Sequence, residues 1–126
     1  MKVKKVTKVL LIEDSTQLQD LIKQMILRVF ETSCDVVIAG SLEKAEELYE
    51  AHVGDVDLIL MDTHLGKGTN TTALAKRISL EFNRPIIAIS TDEVSRKALV
   101  KNGWCTHQCE KHEILNFLTE WKKIHQ

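Results

Sequence analysis

The sequence predicts a doubly wound α/β domain, a parallel sheet with helices packed on both faces. Three observations predict it: short runs of consecutive apolar residues, segments with helical apolar spacing between them, and regular alternation of the two. The runs are Val9-Leu10-Leu11-Ile12, Val36-Val37-Ile38-Ala39, Leu58-Ile59-Leu60-Met61 and Ile86-Ile87-Ala88-Ile89. A strand with one wet face alternates polar and apolar residues, whereas these runs are apolar on both faces, as in parallel strands sandwiched between helices. A fifth strand is expected near residues 106–110, where the pattern is weakest.

The helices follow in order. Leu18, Leu21, Ile22, Met25, Ile26 and Val29 form one stripe at i, i+3, i+4 and i+7 spacing, which predicts the first helix. Ser41 is placed to cap a second helix carrying Leu42, Ala45, Leu48 and Tyr49. A third carries Leu74, Ile78 and Phe82 and stops before Pro85, because the residue preceding a proline is driven out of the helical region. Residues 92–102 form the thinnest helix, with a stripe of Val94, Ala98 and Leu99 and a C-cap at Gly103. A last helix from about Glu113 carries Ile114, Phe117, Leu118, Trp121 and Ile124.

Length and composition fit a single domain over residues 1–126. At 44% hydrophobic and 28% charged residues, a chain of this size can bury a core without a staple. Seventeen Lys and Arg against eighteen Asp and Glu leave a net charge of -1, so no general basic field attracts nucleic acid or an anionic membrane. The apolar runs are far shorter than a membrane span, and residues 1–8 lack the apolar core of a signal peptide. Cys34, Cys105 and Cys109 are expected to be reduced thiols, and the chain is expected to be cytoplasmic.

In a doubly wound sheet the functional crevice lies beyond the carboxyl ends of the strands. The first strand runs directly into Glu13-Asp14 and the third into Asp62. Any one of these acids alone reads equally well as a turn or cap residue. Three on one rim repel one another unless a cation sits among them. Oxygen-only ligands select a hard ion, and Mg²⁺ uses one or two carboxylates, keeps several waters and bridges to phosphate. The fourth strand ends at Ser90-Thr91 and Lys111 follows the fifth, adding a hydroxyl and an ammonium to the same rim. A carboxylate in such company can act as a nucleophile toward a phosphoryl group while cations neutralise the equatorial oxygens.

At these residues the sequence resembles the receiver domain of two-component response regulators, over nearly the whole chain. The matching segments are Val9-Leu10-Leu11-Ile12-Glu13-Asp14-Ser15, Asp57-Leu58-Ile59-Leu60-Met61-Asp62 and Pro85-Ile86-Ile87-Ala88-Ile89-Ser90. The resemblance implies a flavodoxin-like five-stranded parallel sheet in the order 2-1-3-4-5 with five helices. It implies Asp62 as phosphoacceptor, with Mg²⁺ held by Glu13, Asp14, Asp62 and the backbone carbonyl of His64. Ser90 would be the switch hydroxyl, and Lys111 would contact the phosphoryl group. A histidine kinase or histidine phosphotransfer protein would be the donor and a downstream protein the reader. Direct nucleic-acid binding and membrane insertion are not expected, and homodimerisation stays open.

Several positions depart from the family. Thr63, Gly66 and Asn70 stand where it has a hydrophobic residue, a proline and a glycine, and Asn70 is expected to supply the left-handed backbone of that glycine. Counted without a gap from Gly103, Glu110 takes the family lysine's place; a one-residue insertion restores Lys111, which is preferred because an acid facing the phosphoryl group would repel it. Gln108 or His107 replaces the aromatic residue often used as a rotameric switch. Gly66-Lys67-Gly68 lacks the full spacing of a nucleotide-binding loop. Zinc at Cys105, His107, Cys109 and His112 is disfavoured, since residues along one extended strand cannot surround an ion tetrahedrally. The competing function is a receiver-fold interaction module that works without phosphorylation. An enzyme on this fold, a phosphatase or a flavin carrier, lacks its cap domain, extra acids or flavin loop.

Overall fold

A computed structural model describes residues 5–66 and 68–125. Lys67, the centre of the Gly66-Lys67-Gly68 motif, and residues 1–4 lie outside the described residues. Five strands, β1 (Lys8–Ile12), β2 (Asp35–Ala39), β3 (Leu58–Asp62), β4 (Ile86–Ile89) and β5 (His107–Cys109), alternate with five helices. These are α1 (Thr16–Phe30), α2 (Leu42–His52), α3 (Thr72–Ser79), α4 (Glu93–Lys101) and α5 (Ile114–His125), the last preceded by a 3₁₀ turn at Lys111–Glu113. The sheet is parallel throughout, in the order β2-β1-β3-β4-β5.

The unbroken apolar runs are explained by two separate cores. Leu10, Ile12, Ile59, Met61 and Ala88 face α2, α3 and α4, where they meet Tyr49, Leu74, Ile78 and Leu99. Their strand neighbours Val9, Leu11, Leu58, Leu60 and Ile87 point the other way, onto Ile22, Ile26, Leu118 and Trp121 of α1 and α5. Because side chains alternate along a strand, both parities must be apolar when both faces are covered. The register places Ile12 beside Met61 and Asp62 beside Ile89, so the chain leaves β1, β3 and β4 on one rim.

Helix starts follow local chemistry. Ser15 accepts from the Leu18 N–H at 3.3 Å, Ser41 from Lys44 at 3.1 Å and Asp92 from Ser95 at 3.2 Å, each satisfying an amide that the first turn leaves without a partner. Gly103 closes α4 with φ +76°, and the next amide, Trp104 N–H, returns to the Leu99 carbonyl at 3.0 Å.

The structure corrects several details of the sequence reading. Leu21 is 47% exposed and Val94 79%, although both belong to expected buried stripes. At about 100° per residue, Leu21 is rotated roughly 100° from buried Ile22, and Val94 roughly 140° from buried Leu99, which puts each outside its packed face. Ile124 is also exposed, on the last turn of α5. α3 ends at Ser79, so Phe82 enters the core from the connection after it, edge-on to Tyr49 at 6.3 Å. Asn70 is not left-handed; Gly66 (φ +74°) and Gly68 (φ +78°) carry the positive dihedrals. Asn70 instead forms an isolated bridge with His64, and its side-chain oxygen accepts from the N–H of Thr72, the first residue of α3, at 3.1 Å. β5 spans three residues, shorter than the segment expected. Among the described residues no helix is long and apolar enough to cross a membrane.

Candidate functional site

Glu13 and Asp14 follow β1, and Asp62 is the last residue of β3. The parallel pairing of β1 with β3 brings them together: one carboxylate oxygen from each of Glu13, Asp14 and Asp62 lies within 4.8 Å of the others. Glu13 and Asp62 are buried and Asp14 is exposed, so the group runs from the interior to the surface of the rim.

Each acid is held from the backbone. Glu13 Oε2 accepts from the Ser15 N–H at 3.0 Å, and Asp14 Oδ2 from the Gly66 N–H at 2.8 Å, which ties the β1 and β3 loops together. Asp62 Oδ1 accepts from the His64 N–H at 3.3 Å. Beneath it, the buried Thr71 hydroxyl donates to the Asp62 carbonyl at 2.7 Å.

Lys111 closes the group. Its Nζ donates to Asp62 Oδ2 at 2.9 Å and lies 2.8 Å from Glu13 Oε1. The second contact is an ion pair without hydrogen-bond alignment, so Glu13 Oε1 keeps an unfilled acceptor site although fully buried. Glu110 points elsewhere, 3.9 Å from the exposed His112 ring. The 3₁₀ turn at Lys111–Glu113 turns consecutive side chains to different sides, which separates the lysine from the acid. Burial raises the Glu13 pKa, partly offset by Lys111 and the Ser15 amide. Burial also works to lower the Lys111 pKa, but its pairing with Glu13 and Asp62 outweighs this and holds it above the usual value.

The donor set suits a hard cation. It is made only of carboxylate oxygens, one of them an unsaturated buried acceptor. Among the described residues Lys111 is the only cation paired with them, leaving two of the three negative charges uncompensated.

Ser90 sits at the end of β4, buried, its hydroxyl accepting from the Asp92 N–H at 2.9 Å. The sequence reading missed the groups around it. Arg96 of α4 donates to the Ser90 carbonyl at 2.5 Å and to Gln108 of β5 at 3.3 Å, joining three elements behind the hydroxyl. The His64 ring reaches α4, 3.4 Å from Asp92 Oδ2 and 3.2 Å from Ser95 Oγ. No motif marks these contacts, because they depend on how α4 lies over the rim. Cys105, His107, Cys109 and His112 are not gathered: Cys105 belongs to the core under α2, α3 and α4, and Cys109 to the core under α1 and α5, on opposite faces of the sheet.

No family model matches this chain, and no curated protein does. Solved structures match along nearly its whole length. The signal receiver domain of a putative LuxO repressor protein from Vibrio parahaemolyticus superposes with a TM-score of 0.74 at 20% identity, covering 99% of this chain and 90% of that one. The chemotaxis protein CheY4 of Vibrio cholerae gives 0.74 at 18% identity, covering 96% and 99%. The N-terminal domain of an uncharacterized protein from Wolinella succinogenes gives 0.71 at 20% identity, covering 94% and 95%. At such identities the likeness is one of fold: the chain has the flavodoxin-like receiver fold.

Proposed function

We propose that this chain is a phosphoacceptor switch in which Asp62 receives a phosphoryl group from a phosphohistidine of a kinase or phosphotransfer protein. The observation that carries this reading is the convergence of Glu13, Asp14, Asp62 and Lys111 on one rim of a receiver fold. An Asp62 carboxylate oxygen attacks phosphorus, forming an acyl-phosphate bond as the phosphorus–nitrogen bond to histidine breaks. The departing imidazole then takes up a proton. Lys111 neutralises charge on the transferred group, and the His64 N–H, already aimed at Asp62, supplies a backbone donor.

Glu13, Asp14 and Asp62, with the His64 carbonyl, would hold Mg²⁺, which neutralises equatorial phosphoryl oxygens when bound. Ser90 is the group recruited by the new oxygens. Moving its hydroxyl releases the Asp92 N–H, so the start of α4 feels the change directly. α4 buries only Leu99, fewer side chains than any of the other four helices, which suits it to move. A downstream protein reading that movement completes the function, and the chain itself works as a regulatory protein of the cytoplasm rather than as an enzyme.

The rival reading, an interaction module without phosphorylation, needs the lysine turned away from Asp62, whereas its ammonium lies 2.9 Å from that carboxylate. Titration with Mg²⁺ and beryllofluoride, a phosphoryl mimic, tests the proposal by amide NMR. Shifts are expected at Asp14, Asp62 to Leu65, Ser90 to Asp92, and Lys111. A spectrum unchanged at saturating mimic would overturn it.

A further inference from the structure

The α1/α5 side of β5 carries a second cluster of titratable groups that the switch does not use. His107 of β5 and His125 of α5 approach with ring centroids 6.3 Å apart and planes at 85°. Both are half-buried. Trp121 stacks on His125 at 4.6 Å, and Phe117 meets His107 edge-on at 6.0 Å, so neighbours from α5 constrain both imidazoles.

Their hydrogen bonds fix the tautomers. His125 Nδ1 lies 2.9 Å from the Trp121 carbonyl, which can only accept, so Nδ1 carries the proton and the neutral ring's lone pair is on Nε2. His107 Nδ1 lies 2.8 Å from the Thr106 hydroxyl. That hydroxyl donates to the Ile86 carbonyl at 3.0 Å, where two oxygens without a proton between them would repel, so His107 Nδ1 donates to it. Both Nε2 lone pairs are therefore left without a partner among the described residues. A histidine whose Nδ1–H is held by an oxygen while Nε2 is free is the arrangement by which proteins orient metal ligands.

We propose that His107 and His125 form a two-histidine site for a borderline divalent ion such as Zn²⁺, bridging the edge strand β5 to the end of α5. With metal–nitrogen bonds of about 2.0–2.1 Å and a tetrahedral angle at the ion, the centroids of two ligating imidazoles lie about 5.3 Å apart, so the rings close by about 1 Å to grip it. Water completes the coordination sphere. Imidazole nitrogens select Zn²⁺, Cu²⁺ or Ni²⁺ over Mg²⁺, so this site and the acidic rim take different ions. Burial, with the neighbouring His125, holds the His107 pKa below its usual value. The bound ion clamps a three-residue edge strand that otherwise pairs only with β4.

The test is calorimetric titration of the untagged chain with ZnCl₂ in excess Mg²⁺, which occupies the acidic rim. One Zn²⁺ is expected per chain, with affinity falling at least about tenfold in His125→Gln and again in His107→Gln. Zn²⁺ should also raise the melting temperature of the wild type but not of His125→Gln, whose circular dichroism without metal reports retained folding. Equal Zn²⁺ affinity in wild type and both variants, or no Zn²⁺ uptake in excess Mg²⁺, would overturn the proposal.

Discussion

Replacing Lys111 with Met removes the ammonium that separates two buried acids while keeping much of the side-chain volume. In the wild type that ammonium lies 2.8 Å from Glu13 Oε1 and 2.9 Å from Asp62 Oδ2, with its own side chain 15% exposed. Breaking a buried pair by deleting one partner costs about 3–5 kcal/mol, because the orphaned charge stays desolvated. Here Asp14 opens to water and Glu13 can take up a proton, so the lower end, about 3 kcal/mol, is expected at pH 8 in chelator. For a chain of this size that lowers the melting temperature by about 10 °C. The loss should shrink as the pH falls and Glu13 protonates, and also on adding Mg²⁺, which replaces the missing positive charge. Urea unfolding followed by tryptophan fluorescence measures it, with an unchanged m-value confirming the same folded state. A variant within about 0.5 kcal/mol of wild type at pH 8 in chelator would refute the claim that Lys111 holds the acids together.

Other consequences are as specific. Because Glu13 has its pKa raised in the fold, the native state binds more protons than the unfolded chain above the ordinary carboxylate range. Metal-free stability should therefore fall as pH rises through the folded value, and Glu13→Gln should flatten that fall in pH-dependent urea unfolding. Thr71→Val leaves the buried Asp62 carbonyl without its 2.7 Å donor and should destabilise by about 1–2 kcal/mol in the same assay. Burial pushes the Cys105 and Cys109 thiols up to about 12 and Cys34 up to about 11. All three should resist a disulfide reagent at pH 8 in the native state and react fully in denaturant.

The centre of the sheet was legible because both cores impose the same demand on β1, β3 and β4: Val9 and Leu11 face α1 and α5 while Leu10 and Ile12 face α2 and α3, so both parities are apolar, whereas the short β5, His107 to Cys109, carries no such run. The acidic rim was legible because strand ends are marked by an abrupt change from Ile12 to Glu13 and from Met61 to Asp62. What escaped depends on the third dimension. Leu21 and Val94 match a helical stripe yet lie beyond the packed arc, which only the seating of each helix decides. Asn70 suits a left-handed turn, but two glycines nearby carry the positive dihedrals and leave its side chain to accept from the first amide of α3. Arg96 and the His64 ring act across elements, so no spacing announces them. Asp57 likewise proves to anchor the start of β1, accepting from the Thr7 and Lys8 amides at 2.8 and 3.1 Å.

The most direct test is intact-mass spectrometry of the chain after incubation with acetyl phosphate, with Mg²⁺ and with chelator, followed by peptide mapping. The account predicts a gain of one phosphoryl group, carried by the peptide containing Asp62, dependent on Mg²⁺ and abolished in Asp62→Asn. No gain in mass under conditions that modify other receiver domains, or an equal gain in Asp62→Asn, would contradict it.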